Sequence, residues 1–131
     1  MTNFSDCVEA HITGIQVADD AKAISISIRP MAGKSFMLKA EGVDRFVANE
    51  FRERNIIDRV SVWNDKNQPE DFRKLLAVLV AGTYHLDINP VFDALIDQEI
   101  AAIARCEKIL VEIKPVYGVW AIMLAQRVLL E

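Results

Sequence analysis

Two histidines, two cysteines and a few carboxylates are the residues of this chain whose types could do chemistry. His11 and His85 could form an acid–base pair of the kind that cleaves RNA, and His85-Leu86-Asp87 has the His-x-Asp form that can hold a metal. They stand far apart in sequence, so nothing in their spacing brings them together. Ordinary surface or hydrogen-bonded roles account for both. Cys106 as a nucleophile requires a nearby base and a lowered pKa. Its neighbours Arg105 and Lys108 would lower it, whereas the C-terminal end of a helix would oppose that through its dipole.

Among the carboxylates, Asp93 and Asp97 lie one helical turn apart, and Asp87 just precedes the same helix. A solvated helix face explains them. Their functional reading is an acidic rim that receives the lysines or arginines of a partner. Asp65, Glu70 and Asp71 form a competing cluster, but helix capping already explains two of the three. Of the tryptophans, Trp63 is the better interface candidate, because it ends a strand face that also carries Arg59 and Ser61. The expected partner-binding residues are therefore Asp87, Asp93, Asp97 and Trp63.

Several classes are set aside. There is no glycine-rich phosphate loop, no zinc-ligand spacing and no Gly-x-Ser-x-Gly elbow, so no cofactor, metal or catalytic residue is expected. A net charge of −4 and a pI near 5.2 argue against nucleic-acid binding, which favours a basic face. The segment MTNFSDCVEA lacks the basic and apolar regions of a signal peptide. The longest apolar runs, 75–81 and 119–125, fall far short of the roughly 20 residues of a membrane span. Two cysteines make no disulfide framework and read as reduced, partly buried thiols. A cytoplasmic protein is expected.

The elements that must position these residues follow from periodicity. A hydrophobic content of 52% and a mean hydropathy of +0.17 supply one well-filled core over residues 1–131. Val8, Ala10 and Ile12 alternate with Glu9, His11 and Thr13 as a first strand, with Gly14 marking a bulge or bend. Asp19-Asp20 turns the chain. Ile24, Ile26 and Ile28 make the clearest strand, ended at Pro30 before a turn that closes on Gly33. Phe36, Leu38 and Ala40 complete a three-stranded antiparallel meander.

In residues 41–65, Val43, Phe46, Val47 and Phe51 recur at helical spacing, and Asn55 is suited to end that helix. The period then changes to two, with Ile56, Val60 and Val62 on one strand face. Pro69, Phe72, Leu75, Leu76, Leu79 and Gly82 spell a helix, and Asn89-Pro90 starts another that carries Phe92, Leu95, Ile96, Ile100 and Ile103. Residues 109–113 read as a strand ended by Pro115, and Tyr117-Gly118 as a turn. Residues 119–126 lean to helix, with 128–130 extended. The fold class is α+β: an antiparallel sheet led by the meander, with helices on one face. Phe46, Phe51, Ile26, Leu76 and Ile96 should be buried together.

The order of elements and the segment EGVDRFVANEFRERNIIDRV resemble small immunity proteins of bacterial contact-dependent inhibition and polymorphic-toxin systems. That resemblance implies a cytosolic, commonly acidic single domain that binds a secreted toxin domain, in some cases a nuclease, and blocks its active site. It transfers no functional residue. Bacterial secretion chaperones are also small, acidic and mixed, but they begin with a helix where this chain begins with a strand. The leading expectation is an immunity protein whose partner is a cognate toxin, with no nucleic acid and no membrane. A small enzyme using His85 or Cys106, and a chaperone or adaptor, are the alternatives.

Overall fold

The computed structural model describes residues 3–82 and 90–131. His85, Asp87 and Asn89, singled out above, lie outside the described residues. Asn3 caps a short 3-10 turn, Phe4–Cys7, by accepting from Ser5 N–H at 2.9 Å, while Asp6 accepts from Asn3 N–H at 2.8 Å. The meander follows as expected: β1 (His11–Val17), β2 (Ala23–Arg29) and β3 (Phe36–Glu41), all antiparallel. The register of β1 on β2 shifts between Ile12 and Gly14, which is the bulge the glycine predicts.

The later strands are β4 (Arg45–Asn49), β5 (Ile56–Trp63), β6 (Ile109–Tyr117), β7 (Trp120–Ala125) and β8 (Arg127–Leu130). Hydrogen-bonded neighbours run β4-β7-β6-β5-β1-β2-β3-β8, and every pairing is antiparallel. The two ends of that order belong to the same two bent strands. β3 passes into β4 through residues 42–44, and β7 into β8 through Gln126 alone. The bends are bonded to each other: Gln126 N–H donates to Glu41 C=O at 3.0 Å, and Asp44 N–H to Leu124 C=O at 2.9 Å. The sheet therefore curls round on itself into a barrel.

Gly42 is required at this corner. Its φ is +62°, and a Cβ there would lie 2.6 Å from the Gln126 side chain.

Burial confirms the closure. Among the described residues neither α-helix contributes to the inner cluster, where only Phe4 and Cys7 of the 3-10 turn join the strands, yet Ile26, Ile28, Leu38, Val111, Ile113 and Met123 have no exposed surface. The strands cover one another. The helices α1 (Phe72–Ala81) and α2 (Pro90–Ala104) pack on the outside, where Phe72, Leu75, Leu76, Ile96 and Ile103 meet Leu110, Ile122 and Leu124. Each fully buried Ile or Leu contributes about 2–3 kcal/mol of transfer free energy to its layer.

One seam of the barrel is incomplete. β1 and β5 pair only at His11↔Ile56. Three backbone bonds flank that pair: Glu9 N–H to Ile57 C=O, Ile57 N–H to Ala10 C=O, and Ile12 N–H to Asn55 C=O, all at 2.8–2.9 Å. Beyond it the two strands part.

Six expectations are corrected. Residues 41–51 form no helix; they carry the end of β3, the corner and β4. Phe51 lies beyond β4 and is 54% exposed, so it is not in the core. The remaining four residues divide between layers: Ile26 inside the barrel with Phe46 packed against it, Leu76 and Ile96 under the helices.

Asn55 ends no helix either. It is 3% exposed; its side-chain carbonyl accepts from Arg52 N–H and Val119 N–H, both at 2.9 Å, tying the β4–β5 loop to the β6–β7 hairpin. The hairpin approaches so closely that a Cβ on Gly118, at φ +89°, would lie 2.4 Å from Arg54 C=O.

Residues 119–126 contain β7 rather than a helix, and β6 continues through Pro115, where the pairing with β5 is irregular. The first strand begins at His11, because residues 4–7 take the 3-10 turn.

Candidate protein-binding surfaces

Helix α2 presents two ionic clusters on different faces. On the outer face, Asp93 and Asp97 are joined by one guanidinium from α1: Arg73 Nη2 donates to Asp93 Oδ1 at 2.6 Å and Nη1 to Asp97 Oδ1 at 2.7 Å. Both carboxylates stay open to solvent, 61% and 67% exposed, and each engages Arg73 through one oxygen. The arginine staples α1 to α2 and leaves one net negative charge where two aspartates would carry two. The expected acidic rim is therefore a fixed pair, with Asp87 outside the described residues.

The second cluster holds the helix to the barrel. Glu99 is 5% exposed and is the one charged residue among the buried described positions. Its Oε2 accepts from Arg45 Nε at 2.7 Å, and its Oε1 from Lys108 Nζ at 2.7 Å. Lys108 also bonds Asp44. Partial burial pulls the Lys108 amine down, but the hydrogen bonds and charges of Asp44 and Glu99 outweigh it, and the net shift is upward. Sequence reasoning passed over Glu99. The signal was its position three residues after Ile96 and four before Ile103, on the apolar stripe itself.

Beside this cluster the barrel corner and the α2–β6 turn frame an open groove of about 480 Å³, lined by Lys22, Gly42, Asp44, Glu107, Lys108 and Gln126. Its lining carries both charge signs.

Cys106 sits at that turn, exposed, at φ +61°. Neither neighbouring cation activates it: Arg105 pairs with Glu107, and Lys108 faces Asp44 and Glu99. Desolvation first, then a hydrogen bond and charge from Asp65, push its thiol upward. Cys7 is buried, and burial with the Asp6 charge raises it to about 11. His11 stands on β1 opposite Arg29. Among the described residues no group of three metal-ligating side chains converges.

Trp63 pairs with Leu110 across β5 and β6 and packs at the edge of the helix layer, partly buried. Three of the seven large apolar side chains exposed among the described residues lie at the end of the barrel made by the β4–β5 loop and the β6–β7 hairpin; Val8, Val17, Met31 and Val91 lie elsewhere. The three, Phe51, Val116 and Tyr117, are 54%, 63% and 43% exposed. Tyr117 Oη donates to Glu53 at 2.9 Å, and Arg52 lies 5.8 Å over the Tyr117 ring. The backbone amide of Glu53 and then the Tyr117 hydroxyl hold the Glu53 carboxyl below its usual range. The periodicity of 41–51 concealed this rim, because it assigned Phe51 to a helix core.

No protein-family model, curated protein or solved structure matches this chain. No helix among the described residues is long and apolar enough to cross a membrane.

Proposed function

We propose that this chain binds another protein and inhibits it, as a cytoplasmic immunity protein covering the active site of a toxin domain. The observation that carries the reading is the rim of Phe51, Arg52, Val116 and Tyr117. Large apolar groups are set outward there at the barrel end, with the Tyr117 ring engaged by Glu53 and Arg52. Tyrosine and arginine held in this way are the residue types that dominate protein interfaces, and exposed apolar groups gathered in one place mark such surfaces. Asp93 and Asp97 add a charge that steers a basic partner, such as a nuclease. Trp63, at the edge of the helix layer, is secondary in this scheme.

The test is co-expression with any toxin domain found encoded next to this chain's gene, followed by binding kinetics on the purified pair. Phe51→Ala and Tyr117→Ala should each weaken affinity about tenfold or more without unfolding the protein. Asp93→Lys with Asp97→Lys should slow association and flatten its salt dependence, leaving dissociation nearly unchanged. Full protection and unaltered affinity in both aromatic variants would remove the rim from the interface.

A further inference from the structure

The outer face of the barrel beside the Tyr117 rim carries a charge opposite to that of the whole chain. Across four neighbouring strands, Arg29 stands opposite His11, His11 opposite Ile56, and Ile56 opposite Tyr117. Directly opposed residues point to the same side of a sheet. This row points outward, because the adjacent pair Ile12↔Ile28 is buried and Ile56 joins neither core layer. At the usual strand spacing it spans roughly 14 Å.

Two irregularities add Arg59 and Lys114 to the same face. In a regular strand, residues 56 and 59 would point to opposite sides, and so would 114 and 117. The register of β5 on β6 skips Val116 between Ile56 and Ile57, and Asp58 between Ile57 and Arg59. Arg59 and Lys114, directly opposed, thereby turn outward with Ile56 and Tyr117, while their neighbours Val60 and Ile113 face the interior. Arg54 joins the group from the other side of the row. It lines an open pocket of about 300 Å³ with Glu53, Ile56 and Tyr117.

Arg29, Arg54, Arg59 and Lys114 are exposed and make no ion pair among the described residues. Of the nearby carboxylates, Glu53 accepts from Tyr117, and neither Asp58 nor Glu9 forms an ion pair. Like charges set directly opposite each other repel. The Arg59–Lys114 repulsion is therefore not offset by an ion pair within the described chain, although the net charge of the whole is −4.

We infer that this face binds an acidic segment of the partner protein, in which carboxylates flank one large apolar side chain. The apolar side chain enters the pocket over Ile56 and Tyr117. The carboxylates meet Arg54 on one side of the row and Arg59 with Lys114 on the other, and Arg29 extends the contact along it. The aspartates of α2 act at a distance on the partner's overall charge, whereas these cations act at contact on one segment. A net charge of −4 disfavours a long polyanion such as nucleic acid. The inference rests on the protein-binding reading and names what the partner presents beside the rim.

The probe is the capped peptide Glu-Glu-Phe-Glu-Glu, titrated against the full chain while the backbone amide resonances are followed. Shifts should centre on residues 11, 29, 54–59 and 114–117 and spare α2. Affinity should fall about tenfold or more when alanine replaces the phenylalanine, or lysines the glutamates. Arg59→Glu with Lys114→Glu exchanges one exposed like-charge pair for another, so the fold should be kept. It should lose the acidic peptide by the same factor and gain the lysine one, whereas Arg59→Gln with Lys114→Gln should lose the first without gaining the second. No shifts at millimolar acidic peptide, or equal affinity for both charge forms, overturns the inference. So does tighter binding of a single-stranded oligonucleotide of equal charge, or the same shifts on concentrating the protein alone, which would assign the face to nucleic acid or to a second copy. The assay contains no toxin. If the peptide fails while Phe51→Ala and Tyr117→Ala still weaken toxin binding, only the acidic segment falls. If the peptide binds while both variants keep full toxin affinity, the rim interface falls and this site stands.

Discussion

The two faces of α2 carry the same chemistry in different surroundings. Arg73 with Asp93 and Asp97 lies in solvent; Arg45 and Lys108 with Glu99 lie where the helix meets the barrel, and Glu99 keeps only 7% of its side-chain surface exposed. In water a pair of unit charges at contact is worth little once screening and side-chain entropy are counted. At the helix–barrel boundary both carboxylate oxygens have been taken from water and depend on their two cations. The solvent cluster fixes how charge is presented, whereas the boundary cluster fixes where the helix sits.

The sharpest way to break this contrast is Glu99→Ala. It leaves Arg45 and Lys108, 30% and 21% exposed, without their shared partner, and should cost about 2–4 kcal/mol in urea unfolding. A loss below about 1 kcal/mol would place the carboxylate effectively in water.

Next in size is a pH effect. The folded Lys108 amine binds its proton more tightly than the unfolded one, so its contribution is complete below pH 10.5 and is lost as pH climbs through the higher folded value. Parent protein should therefore lose more stability above about pH 10.5 than Lys108→Met does, measured by thermal unfolding of both across the alkaline range. Parallel curves would show that Lys108 does not carry the coupling.

The smallest expected change belongs to Arg73→Ala, within about 1 kcal/mol of parent stability. The same substitution frees both aspartates from their internal cation, so it should raise the salt dependence of association with a basic partner. An unchanged salt slope would mean that Asp93 and Asp97 do not face that partner.

The meander and both helices were legible because each has one covered face. Ile24, Ile26 and Ile28 point into the barrel while Ser25 and Ser27 do not, and the stripe of α1 ends at Gly82 as its spacing predicts. The misread segments share a different condition. β4 and β7 lie between the barrel interior and the helix layer. Phe46 serves the interior and Val47 the helix layer; Ala121, Met123 and Ala125 face inward while Ile122 and Leu124 face the helices. A strand covered on both faces has no alternation to reveal it, and its apolar run imitates a helix.

At the candidate surfaces, the one-turn spacing of Asp93 and Asp97 was readable. Arg73 as their partner was not, since that contact is made between helices.

The corner at Gly42 and Gln126 has a consequence for the order of assembly. Leu38 of β3 is paired with Leu130 of β8, so two edges far apart in the sequence must meet before the ring is complete. The hairpins β1–β2, β2–β3 and β6–β7 are local and can form as their residues leave the ribosome, but the long loop bracketed by β3 and β8 closes only against its entropy. Until residues 127–130 emerge, the outer edge of β3 stays open, with Leu38 and Ala40 lacking their cross-strand cover from Leu130 and Val128. Until then the nascent chain carries a sticky edge, and the short strand β8 acts as the latch that removes it.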